Sequence, residues 1–528
     1  MILAACATRA PLPEAAHHVD RAAFDALFEE TMARYRLPGL ALGIIVDGEV
    51  AYVRTAGETV AGSGRPITPR TLFRIASLSK AMTAAVLARL VQAGALRWDD
   101  PVVRHLPAFR MHDPWVTREM QVRDLLIHNS GLRPGAGDLM LWPEPNRFTR
   151  ADLIAGLAHL QPLYSFRSRY TYDNLLYVVA GEVAAAVAGV SYEELVQREV
   201  FAPVGMTGCR VGTWRLDEVG DVAQPHMQQE GRNIPVRLDG PEIPAAPAAA
   251  AGGIRCSLED LLRWTLVWLH PDFVPPGASE PWLNRAQREA SWSPQMPLPL
   301  SQRQREWQRS HFHAYGYGWR LSDANGTLKV AHTGTLMGMY SALTLLPEKR
   351  AGFVILTNGN GADARTVLEQ ALIDLFTAPE RSSSLAHYAH ELEQARLARL
   401  ERRRDVPEPL FRQPVQPDSL AQWLGVYRDP WFGEVRICEH EGRVRFSSVK
   451  SPRLTGEVMQ AGGRLLVDWY DESVDVEPWL RFEAAPDGGP VTLTLARIDA
   501  RADHSYDYED LLFTRTGGCG PAESAMPR

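Results

Sequence analysis

Thr71-Leu-Phe-Arg-Ile-Ala-Ser77-Leu-Ser-Lys80-Ala-Met-Thr-Ala-Ala-Val-Leu-Ala-Arg-Leu-Val91 is the stretch on which the reading of this 528-residue chain turns. Ser77 and Lys80 are three apart and run directly into an almost wholly apolar segment. If that segment is a helix, residues three apart share a face, and the Lys80 amine can reach the Ser77 hydroxyl. Apolar surroundings disfavour an ammonium and push its pKa down, and a neutral amine beside a hydroxyl is an activated nucleophile. Lys80, Lys329, Lys349 and Lys450 are the only lysines among 56 basic residues. Arg could not give up its proton in a protein, so a Lys here carries weight. Ser447-Ser-Val-Lys450 repeats the spacing, but Ser451-Pro452 follows it instead of an apolar helix. That second copy reads as chance.

Outward from this segment, the chain alternates short strands with helices. Asp20 to Tyr35 has helical spacing, and the strands Gly39 to Val46 and Glu49 to Thr55 meet at Asp47-Gly48, a hairpin signal. Later come predicted strands at Tyr315 to Ser322, Thr327 to His332, Met339 to Leu346 and Ala351 to Thr357, spaced as an antiparallel meander. A helix closes this part at Asp363 to Phe376, with Asp363 as expected N-cap, and Ser257 is expected to cap the helix running to Trp268. The segments Arg104 to Asn146, Val211 to Pro247 and Pro271 to Ser310 read as long loops over a cleft. Beyond a charged helix at Leu385 to Arg404 and a proline-marked boundary, short strands recur from about Ser419 to Thr516, the pattern of a small barrel or sandwich. The fold class is thus α+β, an antiparallel sheet gathering strands from both ends of the first 378 residues, with helices and an inserted helical subdomain between, followed by a small all-β domain.

Composition excludes several functions. Hydrophobic content of 45% and a formal net charge of −7 are ordinary for a globular chain and give no sign of nucleic-acid binding. No uninterrupted apolar stretch is long enough to span a bilayer. Cys6, Cys209, Cys256, Cys438 and Cys519 lack the paired spacing of a zinc site and lie too far apart to read as a disulfide framework. His387 and His390, and His311 and His313, have no accompanying glutamate in a metalloprotease pattern, so neither metal nor cofactor is expected. Leu3-Ala-Ala-Cys6 resembles the cleavage box of a bacterial lipoprotein signal. It makes Cys6 the expected lipidation site, with membrane attachment through that lipid and a place in the cell envelope or periplasm. Read literally, the N-terminus leaves the chain in the cytoplasm.

Four elements stand in order: Ser77-x-x-Lys80, Tyr172-Asp-Asn174, Gly252-Gly253 before a helix, and His332-Thr-Gly334 at a strand end. Together with His128-Asn-Ser-Gly-Leu132, Pro203-Val-Gly-Met206 and Tyr315-Gly-Tyr-Gly-Trp319, this order resembles the serine β-lactamase and penicillin-binding-protein superfamily, within the branch of class C β-lactamases, D-aminopeptidases and esterases. The resemblance covers roughly residues 21 to 378. It implies Ser77 as acylated nucleophile, Lys80 as its proton acceptor or electrostatic activator, and Tyr172 as proton shuttle to the leaving group. It implies an oxyanion hole from the backbone N–H groups of Ser77 and Thr335, and substrate contacts from Asn174, His332, Thr333 and Gly334. His332 departs from the lysine usual at that point, which turns the expectation from β-lactams towards esters and peptides.

Leu424-Gly-Val-Tyr427 and Tyr506-Asp-Tyr-Glu-Asp-Leu-Leu-Phe513 resemble the lipocalin-like β-domain appended to some peptidases of this branch. The expected organisation is a signal remnant or tether over 1–20, a catalytic domain over 21–378, a helical linker over 379–417, a lipocalin-like domain over 418–516 and a flexible tail over 517–528. The function implied is a serine hydrolase forming an acyl-enzyme on a small ester, peptide or D-amino-acid amide. The alternatives are a β-lactamase or D-alanyl-D-alanine carboxypeptidase, and a non-catalytic envelope binding protein.

Overall fold

The computed structural model describes residues 20–359, 361–381, 383–401, 411–484 and 489–520, so Cys6, the expected lipidation site, lies outside the described residues. The chain forms two compact units, one of residues 1–106, 121–127 and 179–394, the other of residues 107–120, 128–178 and 395–528. The helical insert therefore clusters with the C-terminal domain and not with the sheet that precedes and follows it in sequence.

In the first unit, helix α1 (Arg21–Tyr35) starts where the Asp20 carboxylate accepts from Ala23 N. Strands β1 (Gly39–Val46) and β2 (Glu49–Gly57) join through Asp47 and Gly48, both at positive φ (54° and 81°), the conformation of a two-residue hairpin turn. β3 (Met296–Pro297), β4 (His313–Tyr315), β5 (Arg320–Ala324), β6 (Thr327–Leu336), β7 (Met339–Leu346) and β8 (Ala351–Thr357) complete an antiparallel sheet in the order β2-β1-β8-β7-β6-β5-β4-β3. The strand expected from Tyr315 to Ser322 is broken, because Gly316 N turns back to Trp319 O at 2.8 Å and separates β4 from β5.

Side chains alternate across the strands. Leu40, Leu42, Ile44, Phe353 and Ile355 face α1 and helix α5 (Ala362–Thr377) in one buried core. The N-cap of α5 is Gly361 and not Asp363. The opposite face takes helix α4 (Leu258–Leu269), where the capping box of Ser257 and Asp260 forms as expected. Helix α2 (Ser79–Gln92) is buried from Ser79 to Ala88 and helix α3 (Leu175–Ala188) from Leu175 to Gly181, which is why both sequences are apolar all round there.

Two expected loops are structured. Val211 to Pro247 holds two small ribbons, Trp214–Arg215 with Glu242–Ile243 and His226–Gln229 with Arg232–Pro235. Pro271 to Ser310 is anchored at Trp282, which is 1% exposed, with its ring 5.6 Å from that of Trp264 and 6.2 Å from that of Trp268. The ribbon segment is fastened by Asp239, which accepts from both arms of Arg255 (2.5 and 2.9 Å) and lies 3.5 Å from Arg74. Arg74 and Arg255 in turn pair in a two-residue ribbon, Phe73–Arg74 with Arg255–Cys256, immediately before Ser77.

In the second unit eight antiparallel strands close into a barrel. They run β9 (Gly425–Asp429), β10 (Gly433–His440), β11 (Arg443–Ser448), β12 (Thr455–Ala461), β13 (Arg464–Trp469), β14 (Pro478–Glu483), β15 (Thr492–Arg497) and β16 (Leu512–Gly517), and β12 pairs with β13 while β16 pairs with β9. Tyr427, Val435, Ile437, Phe446, Val458 and Phe513 are buried within this unit. The insert is tied to it by Lys450 Nζ on Asp152 (2.7 Å) and Arg453 on the Glu144 carbonyl (2.6 Å).

The cysteines correct the sequence expectation. Cys209 bonds to Cys256 and Cys438 to Cys519, across separations of 47 and 81 residues. Separation along the chain says nothing of proximity once strands and ribbons fold back. The second bridge anchors the chain through residue 519, inside the stretch expected to be a flexible tail, and residues 521–528 lie outside the described residues.

Two outcomes are expected. In denaturant, thiol titration of the five-cysteine chain before reduction counts one thiol, Cys6, where that residue carries no lipid and none where it does, since the other four are paired. Second, burial opposes the charge of Asp239, yet the Arg255 and Arg74 guanidiniums hold its pKa down at about 2. A carboxylate depressed in the folded state stabilises above its unfolded pKa of about 3.9 and loses that contribution as pH falls towards 2. The contribution is about 2 kcal/mol. Urea unfolding of Asp239→Asn should therefore show a deficit near pH 7 that shrinks as the pH approaches 2.

Candidate active site

Ser77 lies in a 3-10 turn, Ala76–Leu78, that leads straight into α2. Ala76 has φ +48°, an uncommon conformation for a residue with a Cβ. It is held by its surroundings: the Ile75 carbonyl accepts from Ser341 Oγ at 2.9 Å, and Ile75 N donates to the Ile254 carbonyl at 3.1 Å. The turn leaves Ser77 half-buried while Lys80, one turn on, is wholly buried. Lys80 Nζ is 3.1 Å from Ser77 Oγ and 2.8 Å from the Ala251 carbonyl. The carbonyl comes from the tight turn Ala249–Gly253, so the Gly252-Gly253 pair marks the backbone that holds the lysine. Thr83, the next residue on that face of α2, donates to the Ala250 carbonyl at 2.7 Å and fastens the same turn.

The strand beside this turn is β6. A Cβ on Gly334 would lie 2.2 Å from the Ile75 carbonyl and 2.3 Å from Ser341 Oγ. The sequence makes this glycine an expected substrate contact. In the structure it also admits the turn that carries Ser77, and only a residue without a side chain permits that approach. Thr335, the next residue, is exposed, and its hydroxyl and the Gly334 carbonyl both accept from Arg365 of α5 (3.0 and 2.7 Å). Thr333 is half-buried on the same strand.

His332 differs from a substrate-binding cation. It is 1% exposed, with Nε2 2.9 Å from the Tyr315 hydroxyl and Nδ1 2.8 Å from the Thr333 carbonyl. Nδ1 must donate to that carbonyl, so Nε2 accepts from the tyrosine, and the ring is satisfied while neutral. Burial, then the charge of Arg320, pushes its pKa well below the ordinary 6.5.

Tyr172 and Asn174 belong to the second unit. The Tyr172 ring lies 4.3 Å from that of His128, which places the His128-Asn-Ser-Gly-Leu132 motif against it. Asp173 is 0% exposed; its N–H donates to His128 Nδ1 at 3.2 Å, and its carboxylate accepts from Ser130 Oγ at 3.0 Å. Asn174 Nδ2 donates to both oxygens of Asp138 (3.1 and 2.9 Å). Neither Asp138 nor the Ala251 carbonyl carries a sequence signal. The decoy resolves itself here: Ser447 lies on barrel strand β11, and Lys450 pairs with Asp152.

The comparisons with known proteins point the same way. The family model described as "Beta-lactamase" matches residues 24–377. The unguisins hydrolase ungD' of Aspergillus campestris is 24% identical over 444 residues, covering 80% of this chain and 78% of that protein. Esterase EstB of Burkholderia gladioli is 33% identical over 257 residues, covering 45% of this chain and 63% of its own length. Among solved structures, the octameric penicillin-binding protein homologue from Pyrococcus abyssi superposes with a TM-score of 0.59 at 19% identity, over 94% of this chain and 100% of that one, a likeness of fold. With the match extending from the first helix of the sheet to the last, this chain belongs to the beta-lactamase family and is a serine hydrolase of that type.

Proposed function

We propose that the chain hydrolyses small esters, peptides or D-amino-acid amides through an acyl-enzyme on Ser77. The observation that carries the reading is the wholly buried Lys80 amine 3.1 Å from Ser77 Oγ. In the reaction Ser77 Oγ attacks the substrate carbonyl carbon and its proton passes to Lys80, whose other fixed contact, the Ala251 carbonyl, keeps it aimed. Backbone N–H groups of Ser77 and Thr335 receive the developing oxyanion. Tyr172 shuttles that proton on to the leaving alcohol or amine, and Asn174 holds the substrate amide. Water then attacks the acyl carbon, the Ser77–acyl bond breaks, and the carboxylic acid leaves.

The choice of substrate rests on His332. A neutral ring already bonded to Tyr315 and the Thr333 carbonyl offers no fixed positive charge to a free substrate carboxylate. That favours esters and amides over penicillins and cell-wall peptides ending in a carboxylate. Two disulfides favour an oxidising compartment, in keeping with the cell envelope. Attachment through a lipid on Cys6 remains part of the proposal on the strength of Leu3-Ala-Ala-Cys6 alone. The C-terminal barrel is proposed as a lipocalin-like module filled by its own side chains.

A panel of p-nitrophenyl esters, D- and L-amino-acid p-nitroanilides and nitrocefin, run beside Ser77→Ala and Lys80→Met, tests the reading. Ester turnover should exceed nitrocefin turnover, and each variant should lose at least about a thousand-fold in kcat. Wild-type rates in Ser77→Ala would refute it, and nitrocefin as the best substrate would move the choice to a β-lactamase. Because burial and the nearby Arg320 charge keep His332 neutral, His332→Gln should change KM without altering the shape of the kcat/KM profile around neutral pH.

A further inference from the structure

Residues 133–139 of the second unit lie between two partners. On one side are residues 172–174: Gly135 N donates to the Tyr172 carbonyl at 2.9 Å, and Asp138 holds the Asn174 amide. On the other side is the barrel segment that leads into its last strand. Arg133 Nε donates to Asp510 Oδ1 at 2.9 Å, and Gly137 N and Leu139 N donate to the two oxygens of Asp507 (2.5 and 3.0 Å). Gly135, at φ +74°, approaches so closely that a Cβ would lie 2.5 Å from the His504 carbonyl. Asp507 is 1% exposed and Asp138 is 0%. The N–H groups on either side of Asp138 are thus both bound by one carboxylate, which fixes the turn and aims Asp138 at Asn174. Burial, then the charges of Asp510 and Asp138, push Asp507 up in pKa, and the two N–H donors act against that shift.

We propose that Asp507 of the C-terminal barrel is a positioning residue for the hydrolase, orienting Asn174 through Asp138 and the Tyr172 backbone through the Gly135 turn. The proposal rests on the reading of Tyr172 and Asn174 as working residues of the reaction. It gives the barrel a part in turnover: it supplies the buried acceptor that the turn at residues 137–139 binds. Removing that acceptor leaves two buried N–H groups unpaired, so the turn must shift to find others. Displacement of a working group by about 1 Å costs on the order of a hundred-fold in rate.

The test uses the full chain with Asp507→Ala, Asp507→Asn, Asn174→Ala and the double variant Asp507→Ala/Asn174→Ala. Hydrolysis of p-nitrophenyl butyrate is measured per active site, sites being counted by complete titration with a fluorophosphonate, so that a loss of folded protein does not register. Asp507→Ala should lower kcat per titrated site about 10- to 100-fold with KM within about two-fold. Asp507→Asn keeps one acceptor oxygen and should lose less. The double variant should lose less than the product of the two single losses, because Asp507 acts in part through Asn174. Unchanged kcat per titrated site in Asp507→Ala, or losses that multiply in the double variant, would overturn the relay. Wild-type kcat in Asn174→Ala would overturn the reading beneath it, and the relay with it. If Asp507→Ala does not fold, kcat per titrated site in Asp507→Asn decides the matter alone: a loss supports the relay and wild-type turnover overturns it.

Discussion

A buried amine reaching a serine hydroxyl on one side and a main-chain carbonyl on the other is the constraint around which the first unit is built. Lys80 has no exposure, and a buried amine is tolerated only where oxygens meet its protons. Ser77 Oγ and the Ala251 carbonyl are two such oxygens. Keeping the carbonyl there requires the tight turn Ala249–Gly253, and keeping the turn there engages Thr83 and the ribbon of Phe73–Arg74 with Arg255–Cys256. The Arg255–Asp239 pair and the Cys209–Cys256 bond then fasten that ribbon to the segments beyond it. Much of the architecture near Ser77 is a scaffold for one nitrogen atom.

The same turn is clamped from the sheet. Gly334 and Ser341 sit on neighbouring strands at paired positions, and both meet Ile75. The left-handed Ala76 that precedes the nucleophile persists because these contacts over-determine it. Arg365 of α5 reaches through to the Gly334 carbonyl, so the helix on the far face of the sheet also bears on this strand.

What could be read from the residues was whatever short-range chemistry dictates. Asp47-Gly48 specifies a two-residue turn, Ser257 with Asp260 specifies a helix start, and the regular spacing of β6, β7 and β8 specifies a meander. The Ser77–Lys80 spacing belongs to the same class, since helical periodicity alone brings the two atoms together. Long-range events were not legible. Cys209 and Cys256 meet only because two distant segments share a ribbon, and nothing in the text of either cysteine announces the other. Asp507 and Asp138 are ordinary acidic residues in sequence, and only the fold makes them buried acceptors. The neutrality of His332 was legible as a question of which residue stands there, but its cause, a Tyr315 hydroxyl on one nitrogen and a carbonyl on the other, needed the packed strands. Pro271 to Ser310 read as a loop because its tryptophans are spaced without period, and only the fold shows Trp282 and Trp292 packed on Trp264 and Trp268 of the preceding helix.

The central claim is that Ser77 is the nucleophile and that the buried Lys80 activates it. The most direct measurement is intact-mass spectrometry of the full chain after exposure to a fluorophosphonate, with peptide mapping of the adduct and its rate of formation. One adduct per chain, on the peptide carrying Ser77, absent from Ser77→Ala and formed far more slowly in Lys80→Met, is the expected result. An unmodified wild-type chain, an adduct on any other residue, or equal rates in wild type and Lys80→Met would contradict the claim.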